Sequence, residues 1–302
     1  MMKTMTASFE SKHVLSPLQE QILAIYKEVK KIIDRHNLRA FAIGGTCIGA
    51  VRHQGFIPWD DDLDIALPDV DYNRFLQYAP AELPPHLKLA RCEDRPHNAA
   101  LSTKVFDVNT TFIESYEAPY PDEYKGVFID IFPLSGTPED EAERENYFKK
   151  FLRYTRLNEK RRLRPSMLDR TRSKAMWWAV LPLRLLPYRF WSDRVNRLIA
   201  KYPYDSHTYI SHAWNPYSKH FLLRRDEVYG TPKELPFEDT TMPCVEDCDT
   251  FLTAIFGDYM QLPPESERHG IHSGNGVIDL NRPYTYYQQQ FRKTGTLKKD
   301  KV

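Results

Sequence analysis

The chain contains 302 residues, of which 42 are basic and 41 are acidic, so its net charge is +1 at pH 7. A protein of this length can bury a full hydrophobic core, either as one large domain or as a domain with an appended lobe. The near-neutral charge argues against nucleic acid as a partner, because no overall positive field would attract a phosphate backbone.

The four cysteines, at positions 47, 92, 244 and 248, do not have the spacing of a disulfide framework. Cys244 and Cys248 could form half of a zinc site. No second pair of cysteines or histidines lies nearby in the sequence, which favours buried small side chains instead. The N-terminus lacks the apolar segment of a secretory signal, and no uncharged segment is long enough to span a bilayer. We therefore expect a cytoplasmic protein.

The N-terminal elements are predicted to be a helix and a short strand. Ser16, Pro17 and Gln19 form a capping-box pattern with proline at the first helical position, and apolar residues then recur at helical spacing. The helix is expected to end near His36, and an apolar strand covers residues 41–43.

A glycine turn follows this strand. Gly44 and Gly45 allow a positive φ or a close approach of the backbone to a ligand, and Thr46 adds a hydroxyl group. A short helix is predicted at 48–53, and the amides at the start of such a helix can hold an anion. The turn is therefore a candidate phosphate site.

An acidic run follows Trp59. Asp60, Asp61, Asp62 and Asp64 lead into a strand in which acidic and apolar residues alternate, so Asp62 and Asp64 share one strand face. Two carboxylates on one face repel each other, and a hard divalent cation relieves this repulsion. Mg²⁺ typically takes one or two carboxylates together with substrate phosphates. The run therefore predicts a metal site.

A further acidic residue lies within an apolar strand downstream. Asp130 interrupts a strand that is expected to begin at Gly126 and to close at Pro133. It could complete the metal site, or it could accept the proton of an attacking hydroxyl group.

Between these strands, the sequence predicts a helix at 70–78, capped by Asp69 and ended by Pro80. Strands are expected at 87–92, 101–108 and 111–113.

Three basic side chains are candidate phosphate contacts. Arg52 and His53 lie in the short helix, and the alternative for Arg52 is an ion pair with the acidic run. Lys104 lies on a predicted strand, and its alternative is a solvent-facing position on an edge strand.

A helical lobe is predicted next, with Thr137 as the helix cap and Pro138 as the first helical residue. Residues 149–174 include 11 basic and two acidic residues, an excess of +9, and a tryptophan-rich apolar stretch follows at 175–191. One interpretation is peripheral contact of 149–191 with the inner face of the cell membrane. The other is a lobe that packs its tryptophans against the rest of the protein and exposes a basic face.

A helix is predicted at 245–256, and Gly257 should stop it. We divide the chain into a core at 16–136, the helical lobe at 137–200, a C-terminal module at 201–272 and a polar tail at 273–302.

The order of these motifs, a glycine pair, a short helix, an Asp-x-Asp strand and a later lone aspartate, resembles the nucleotidyltransferase superfamily. The longer stretch GGTCIGAVRHQGFIPWDDDLDI, with IDIFPL, LPFE and GDYMQLPPESER downstream, is similar more narrowly to the LicD family and to the related fukutin-type transferases. The resemblance implies an α/β (α+β) fold, in which a nucleotidyltransferase-like mixed sheet is flanked by helices and the C-terminal module closes over the site.

The resemblance also implies an activity. Enzymes of this family move a substituted phosphate, such as phosphocholine or a polyol phosphate, from a CDP-activated donor onto a glycan. We therefore expect a phosphotransferase that uses Mg²⁺, with Mn²⁺ as an alternative, and releases CMP. The expected acceptor is a glycan or lipid-linked glycan of the lipopolysaccharide, teichoic acid or capsule type. Two other functions stay open, nucleotidyl transfer from an NTP and binding of a glycan or lipid without catalysis.

The resemblance gives the candidate residues three roles. The metal ligands are Asp62, Asp64 and Asp130, and the candidate bases are Asp130 and Asp60. The donor or phosphate contacts are Gly44, Gly45, Thr46, Arg52, His53, Lys104, Glu238, Asp258 and Arg268, of which Glu238, Asp258 and Arg268 rest on the resemblance alone.

Overall fold

The computed structural model describes residues 14–91, 94, 102–114, 124–162, 178, 181–183, 185–187, 189–212, 222–272 and 276–294. Within them, a mixed sheet is flanked by helices, which confirms the predicted α+β class.

The strands in chain order are β1 (Phe41–Ala42), β2 (Asp64–Pro68), β3 (Leu87–Ala90), β4 (Thr103–Asp107), β5 (Thr111–Ile113), β6 (Val127–Gly136), β7 (Tyr209–His212), β8 (Leu223–Arg224), β9 (Lys233–Phe237), β10 (Thr240–Cys244) and β11 (Val277–Asp279). The main sheet has seven strands in the order β1-β2-β6-β4-β3, with β7 paired to β6 and β8 paired to β7. β2 is parallel to β6, while the other pairs of this sheet are antiparallel.

The helices are α1 (Pro17–Arg35), α2 (Gly44–Ile48), α3 (Asp69–Glu82), α4 (Glu141–Arg162), α5 (Arg189–Ile199), α6 (Cys248–Phe256) and α7 (Tyr284–Thr294). No helix in these described ranges combines the length and the apolar character that crossing a membrane requires.

The capping box that begins α1 is confirmed. The Ser16 hydroxyl accepts a hydrogen bond from the Gln19 amide at 3.2 Å, and the Gln19 side chain accepts one from the Ser16 amide at 3.0 Å. The apolar stripe of α1, which includes Ile22, Tyr26 and Val29, is buried in the main core. α1 therefore covers the sheet that carries the candidate site.

The helix after the glycine turn begins four residues earlier than expected. α2 starts at Gly44 itself, and a π-helical turn at Gly49–His53 extends it. The glycines thus belong to the first turn of the helix, and the predicted short helix at 48–53 is its second half.

The expected end of α3 at Pro80 is wrong, because the helix continues to Glu82. Proline has no amide to donate to the carbonyl of Leu76 four residues earlier. The guanidinium of Arg91 donates to that carbonyl at 3.4 Å. A side chain from outside the helix therefore donates the hydrogen bond that the Leu76 carbonyl cannot receive from Pro80.

Two further boundaries differ from the sequence prediction. β6 does not close at Pro133 but runs to Gly136, because its last three residues pair with β7. α4 is not capped by Thr137. Its cap is the Asp140 carboxylate, which accepts a hydrogen bond from the Glu143 amide at 2.8 Å.

α4 and α5 pack against each other through an apolar cluster of their own. Its buried members are Tyr147, Phe148, Phe151, Val195, Leu198 and Ile199. Trp191 packs on Tyr154 within this lobe, at 6.1 Å between ring centroids. Residues 163–177, which hold the end of the basic run and the first tryptophan, lie outside the described residues.

The prediction of a tail at 273–302 is wrong for residues 276–294. β11 pairs with β5, and α7 buries the side chain of Tyr287 completely. The segment has few apolar residues, so its sequence does not predict this pairing. In the structure, Val277 lies opposite Ile113, which is more than 160 positions earlier in the chain.

Candidate active site

Three charged side chains form a row across neighbouring strands. Asp64 of β2 lies opposite Asp130 of β6, which lies opposite Lys104 of β4. The Lys104 ammonium donates to Asp130 Oδ2 at 2.9 Å and lies 3.2 Å from the centroid of the Phe128 ring. Lys104 is buried on an internal strand, so the edge-strand interpretation is wrong.

The carboxylates of this row are in an unfavourable environment. The Oδ1 atom of Asp130 is buried and has no hydrogen-bond partner. Burial, and then the negative charges of Asp62 and Asp130, raise the pKa of Asp64 well above its ordinary value. A buried carboxylate surrounded by carboxylates is a site at which a cation is stabilising.

The glycine turn lies directly against these acids. A Cβ atom at Gly44, where φ is +56°, would lie 3.5 Å from Asp64 Oδ2, and one at Gly45 would lie 2.7 Å from Asp60 Oδ2. The Thr46 hydroxyl accepts a hydrogen bond from the Asp64 amide at 2.9 Å. The absence of side chains at both glycines thus brings the turn and the acidic run together.

Asp60, the first aspartate of the acidic run, lies against Gly45 of the glycine turn. Burial, together with the charges of Asp62 and Asp61, raises the pKa of Asp60 to about 8. The compact acidic group consists of Asp60, Asp61 and Asp62, whose carboxylate oxygens lie within 4.8 Å of one another. Asp64 continues this group towards Asp130.

Asp61 and Asp62 bind the segment that precedes β11. The Asp61 carboxylate accepts hydrogen bonds from the amides of Ile271 and His272, at 3.1 to 3.3 Å. The His272 ring lies between two acids, with Nε2 3.0 Å from Asp62 Oδ2 and Nδ1 2.7 Å from Glu114 Oε1. These two carboxylates raise the pKa of His272 to about 11.

Sequence reasoning missed the roles of His272 and Glu114. The ring of His272 and the carboxylate of Asp62 are 210 positions apart in the chain. No local pattern predicts a contact over this distance.

The remaining basic candidates meet at the edge of the site. Arg52 is buried and donates to the carbonyl oxygens of Tyr259, at 2.5 Å, and Gln261. Burial, and then the charge of Arg268, lower the pKa of Arg52. The alternative interpretation of Arg52, an ion pair with the acidic run, is therefore wrong. His53 lies beside Arg52, with its Nδ1 3.4 Å from Arg52 Nε.

Residues 37–161 match the family described as LicD/FKTN/FKRP, nucleotidyltransferase domain. The chain carries a LicD family domain. The LicD domain extends from the loop before β1 into the last turn of α4, so it contains the glycine turn, the acidic run, Lys104 and Asp130.

Two relatives show how far the similarity reaches. The chain is 29% identical over 258 residues to lipopolysaccharide cholinephosphotransferase LicD of Haemophilus influenzae, an alignment that covers 82% of this chain and 91% of that protein. It is 38% identical over 65 residues to an uncharacterized protein of Rickettsia typhi, covering 20% of this chain and 21% of that protein. The first similarity extends well beyond the LicD domain.

Residues that follow the LicD domain in the chain contact its loops. The guanidinium of Arg268 lies over the ring of Trp59, 5.5 Å from its centroid, and donates to the Pro263 carbonyl. The Glu238 carboxylate accepts a hydrogen bond from the Phe56 amide at 2.9 Å, so it holds the loop after the π-helical turn. Asp258 is exposed and forms no hydrogen bond with the acids, so the structure does not bring it to the LicD domain site.

Proposed function

We propose that this protein is a phosphotransferase that moves phosphocholine, or a similar substituted phosphate, from a CDP-linked donor to a hydroxyl group of a cell-surface glycan and releases CMP. The LicD domain and the similarity to a protein named lipopolysaccharide cholinephosphotransferase support this proposal. The observation that carries it is the contact between the glycine turn and the acidic run, where a Cβ at Gly45 would lie 2.7 Å from Asp60. Backbone amides and carboxylates can therefore face one phosphate.

The acids fit a hard divalent cation. Oxygen ligands are what Mg²⁺ prefers, and the Asp130 Oδ1 atom has no partner. We infer that Asp62, Asp64 and Asp130 hold Mg²⁺, with Mn²⁺ as an alternative. When bound, this ion would neutralise charge on the donor's diphosphate and on the leaving CMP. The Lys104 ammonium donates to the second oxygen of Asp130 and holds it in place.

The phosphates would bind between the glycine turn and two arginines. Gly44, Gly45 and Thr46 present backbone amides at the start of α2, beside the acids. Arg52 and Arg268 lie close enough for one charge to affect the other, and neither has an ion-pair partner among the residues that the structure describes. Two neighbouring cations without a carboxylate favour a bound anion.

We infer that Asp60, and not Asp130, is the base that accepts the proton of the acceptor hydroxyl. Asp130 is held by Lys104 through Oδ2, and its other oxygen faces the proposed metal. Asp60 lies at the glycine turn, where the phosphate would be held. A base must be within hydrogen-bond reach of the proton that it removes.

Incubation of the purified protein with a panel of CDP-alcohols tests the reaction. CMP should appear only when Mg²⁺, a CDP-linked donor such as CDP-choline, CDP-ribitol or CDP-glycerol, and a glycan acceptor are all present. Release of pyrophosphate from an NTP would instead support nucleotidyl transfer. No turnover with any donor would favour a protein that binds glycan or lipid without catalysis.

The Asp64→Asn variant tests the metal assignment. It keeps the shape of the side chain but removes a charged ligand, so turnover should fall by at least about 100-fold while the circular dichroism spectrum stays native. Asp69→Asn, just beyond the other end of β2, is the matched control and should retain activity. Full activity in Asp64→Asn would contradict the metal site.

A further inference from the structure

Three cysteines from distant parts of the chain meet behind the glycine turn. Cys47 lies in α2, Cys244 ends β10, and Cys248 begins α6. Their sulfur atoms lie within 4.8 Å of one another, and all three are free thiols. Cys47 and Cys244 are fully buried, whereas Cys248 is half-buried.

Local spacing in the sequence does not predict this group of three thiols. The spacing of Cys244 and Cys248 suggests only half of a zinc site, and Cys47 supplies a third thiol from almost 200 positions earlier. Sulfur atoms that share a Zn²⁺ ion at about 2.3 Å each lie roughly 4 Å apart. The observed spacing therefore needs little rearrangement to accept an ion.

The charge environment also favours a bound cation. Hydrogen bonds from Cys244 and Cys47, with a smaller contribution from the charge of Lys233, lower the pKa of Cys248 to about 4. Hydrogen bonds with Cys244 and Cys248, and then burial, raise the pKa of Cys47. The Cys248 thiol donates a hydrogen bond to the Val245 carbonyl oxygen at 3.2 Å, and metal binding would replace this proton. The thiolate is the form in which cysteine binds a metal.

We propose that Cys47, Cys244 and Cys248 bind one Zn²⁺ ion. The half-exposed side of Cys248 gives water access to the fourth position of a tetrahedral site. On binding, the thiols lose their protons to solvent, so affinity should fall as the pH is lowered. This zinc site is independent of the proposed transferase reaction.

The ion would connect the glycine turn to the part of the chain after the LicD domain. Cys47 follows Thr46, whose hydroxyl binds the Asp64 amide. Cys244 and Cys248 belong to the β9–β10 hairpin and to α6. The ion would therefore act as a cross-link between the candidate phosphate site and the C-terminal elements.

Metal analysis of the full chain, purified under reducing conditions, is the direct test. We expect one zinc per chain by mass spectrometry of the metals. After exchange for Co²⁺, the protein should show the near-ultraviolet charge-transfer band of cobalt bound to thiolate. Chelation should lower the melting temperature. A wild-type protein without zinc and without this band would overturn the proposal, as would a disulfide between any two of the three cysteines.

Two variants separate this site from the acidic one. Cys248→Ser changes a half-buried position and should fold. It should lose the bound zinc, the charge-transfer band and the response of the melting temperature to chelation. The double variant Asp62→Asn, Asp64→Asn should keep all three, although we expect it to be inactive. A band that persists in Cys248→Ser would show that this cluster does not hold the metal.

Discussion

At the scale of single residues, the ion pair between Lys104 and Asp130 shapes the candidate site. Both side chains are mostly buried, with 7% and 11% of their surface exposed. Removing one partner of a buried pair leaves an uncompensated charge, whereas replacing both can be nearly neutral. Lys104 therefore holds the Asp130 carboxylate in place opposite Asp64.

Lys104→Met keeps the length of the side chain but removes its charge. We expect it to lower the free energy of unfolding by about 3–5 kcal/mol, because the Asp130 charge stays buried without a partner. The double variant Lys104→Met, Asp130→Asn should be clearly more stable than Lys104→Met alone. Urea unfolding of the wild type, both single variants and the double variant measures the coupling. Additive effects would show that the pair is not coupled in the folded protein.

At the scale of elements, α4 presents a basic stripe to solvent. Its exposed members recur at helical spacing, and they are Lys149, Lys150, Arg153, Arg156 and Lys160. Lys149 pairs with Glu145, while Arg153, Arg156 and Lys160 have no ion pair within the described ranges. An unpaired basic stripe on one helix is typical of contact with anionic lipid headgroups. A lipid-linked acceptor would make such contact useful to the proposed reaction.

Replacing Arg153, Arg156 and Lys160 with Gln tests this contact. Each basic residue near an anionic surface contributes about 1 kcal/mol, so the variant should bind anionic vesicles on the order of 100-fold more weakly. Co-sedimentation with phosphatidylserine-containing vesicles at low and high salt measures the effect, which should shrink as salt screens the charges.

The control for this experiment removes the same charge elsewhere. Lys27, Lys31 and Arg35 lie on the outer side of α1, where 36 to 61% of each side chain is exposed. Their replacement with Gln should affect vesicle binding much less than the α4 variant. Equal losses in both variants would indicate that only net charge matters and that α4 is not a binding surface.

At the scale of the whole molecule, local patterns predicted the elements that depend on neighbouring residues. The capping box predicts the start of α1. The alternation of acidic and apolar residues predicts β2, but the strand begins at Asp64 and leaves Asp62 in the preceding loop, so the prediction that both lie on one strand face is wrong. The glycine turn and the acidic run are predicted from sequence as a phosphate site and a metal site, and in the structure they lie against each other. Much of the mixed sheet and of the LicD domain site could therefore be anticipated from sequence.

Contacts between distant segments could not be predicted in this way. Arg91 donates a hydrogen bond to the Leu76 carbonyl, which Pro80 cannot do, and α3 continues beyond its proline to Glu82. His272 reaches Asp62 only because the chain returns to the site after the LicD domain. Cys47 joins Cys244 and Cys248 for the same reason. In each case the decisive partner lies in another element, and no spacing within the sequence identifies it.

The contacts of Arg39 with Asp71 and Asp205 join distant segments of the chain and make the stability of the protein depend on pH. Arg39 donates to Asp71 of α3 at 2.6 Å and to both carboxylate oxygens of Asp205 at 2.6 and 2.9 Å. The Arg39 hydrogen bonds lower the pKa of Asp205 below its ordinary value. Because the folded-state pKa is the lower one, this stabilisation is present above the unfolded-state pKa of about 3.9 and is lost as the pH falls through the folded-state value.

Asp205→Asn should therefore be less stable than the wild type at pH 7, by about 1 kcal/mol or less because the Asp205 side chain is half-exposed. The difference should shrink as the pH falls below about 4, where the wild-type carboxylate also becomes neutral. Urea midpoints at pH 7, 5, 4 and 3 measure this trend. Asp258→Asn changes an exposed carboxylate that forms no ion pair with the residues that the structure describes, and it should match the wild type throughout. A difference for Asp205→Asn that stays constant from pH 7 to 3 would show that the charge of Asp205 does not stabilise its contact with Arg39.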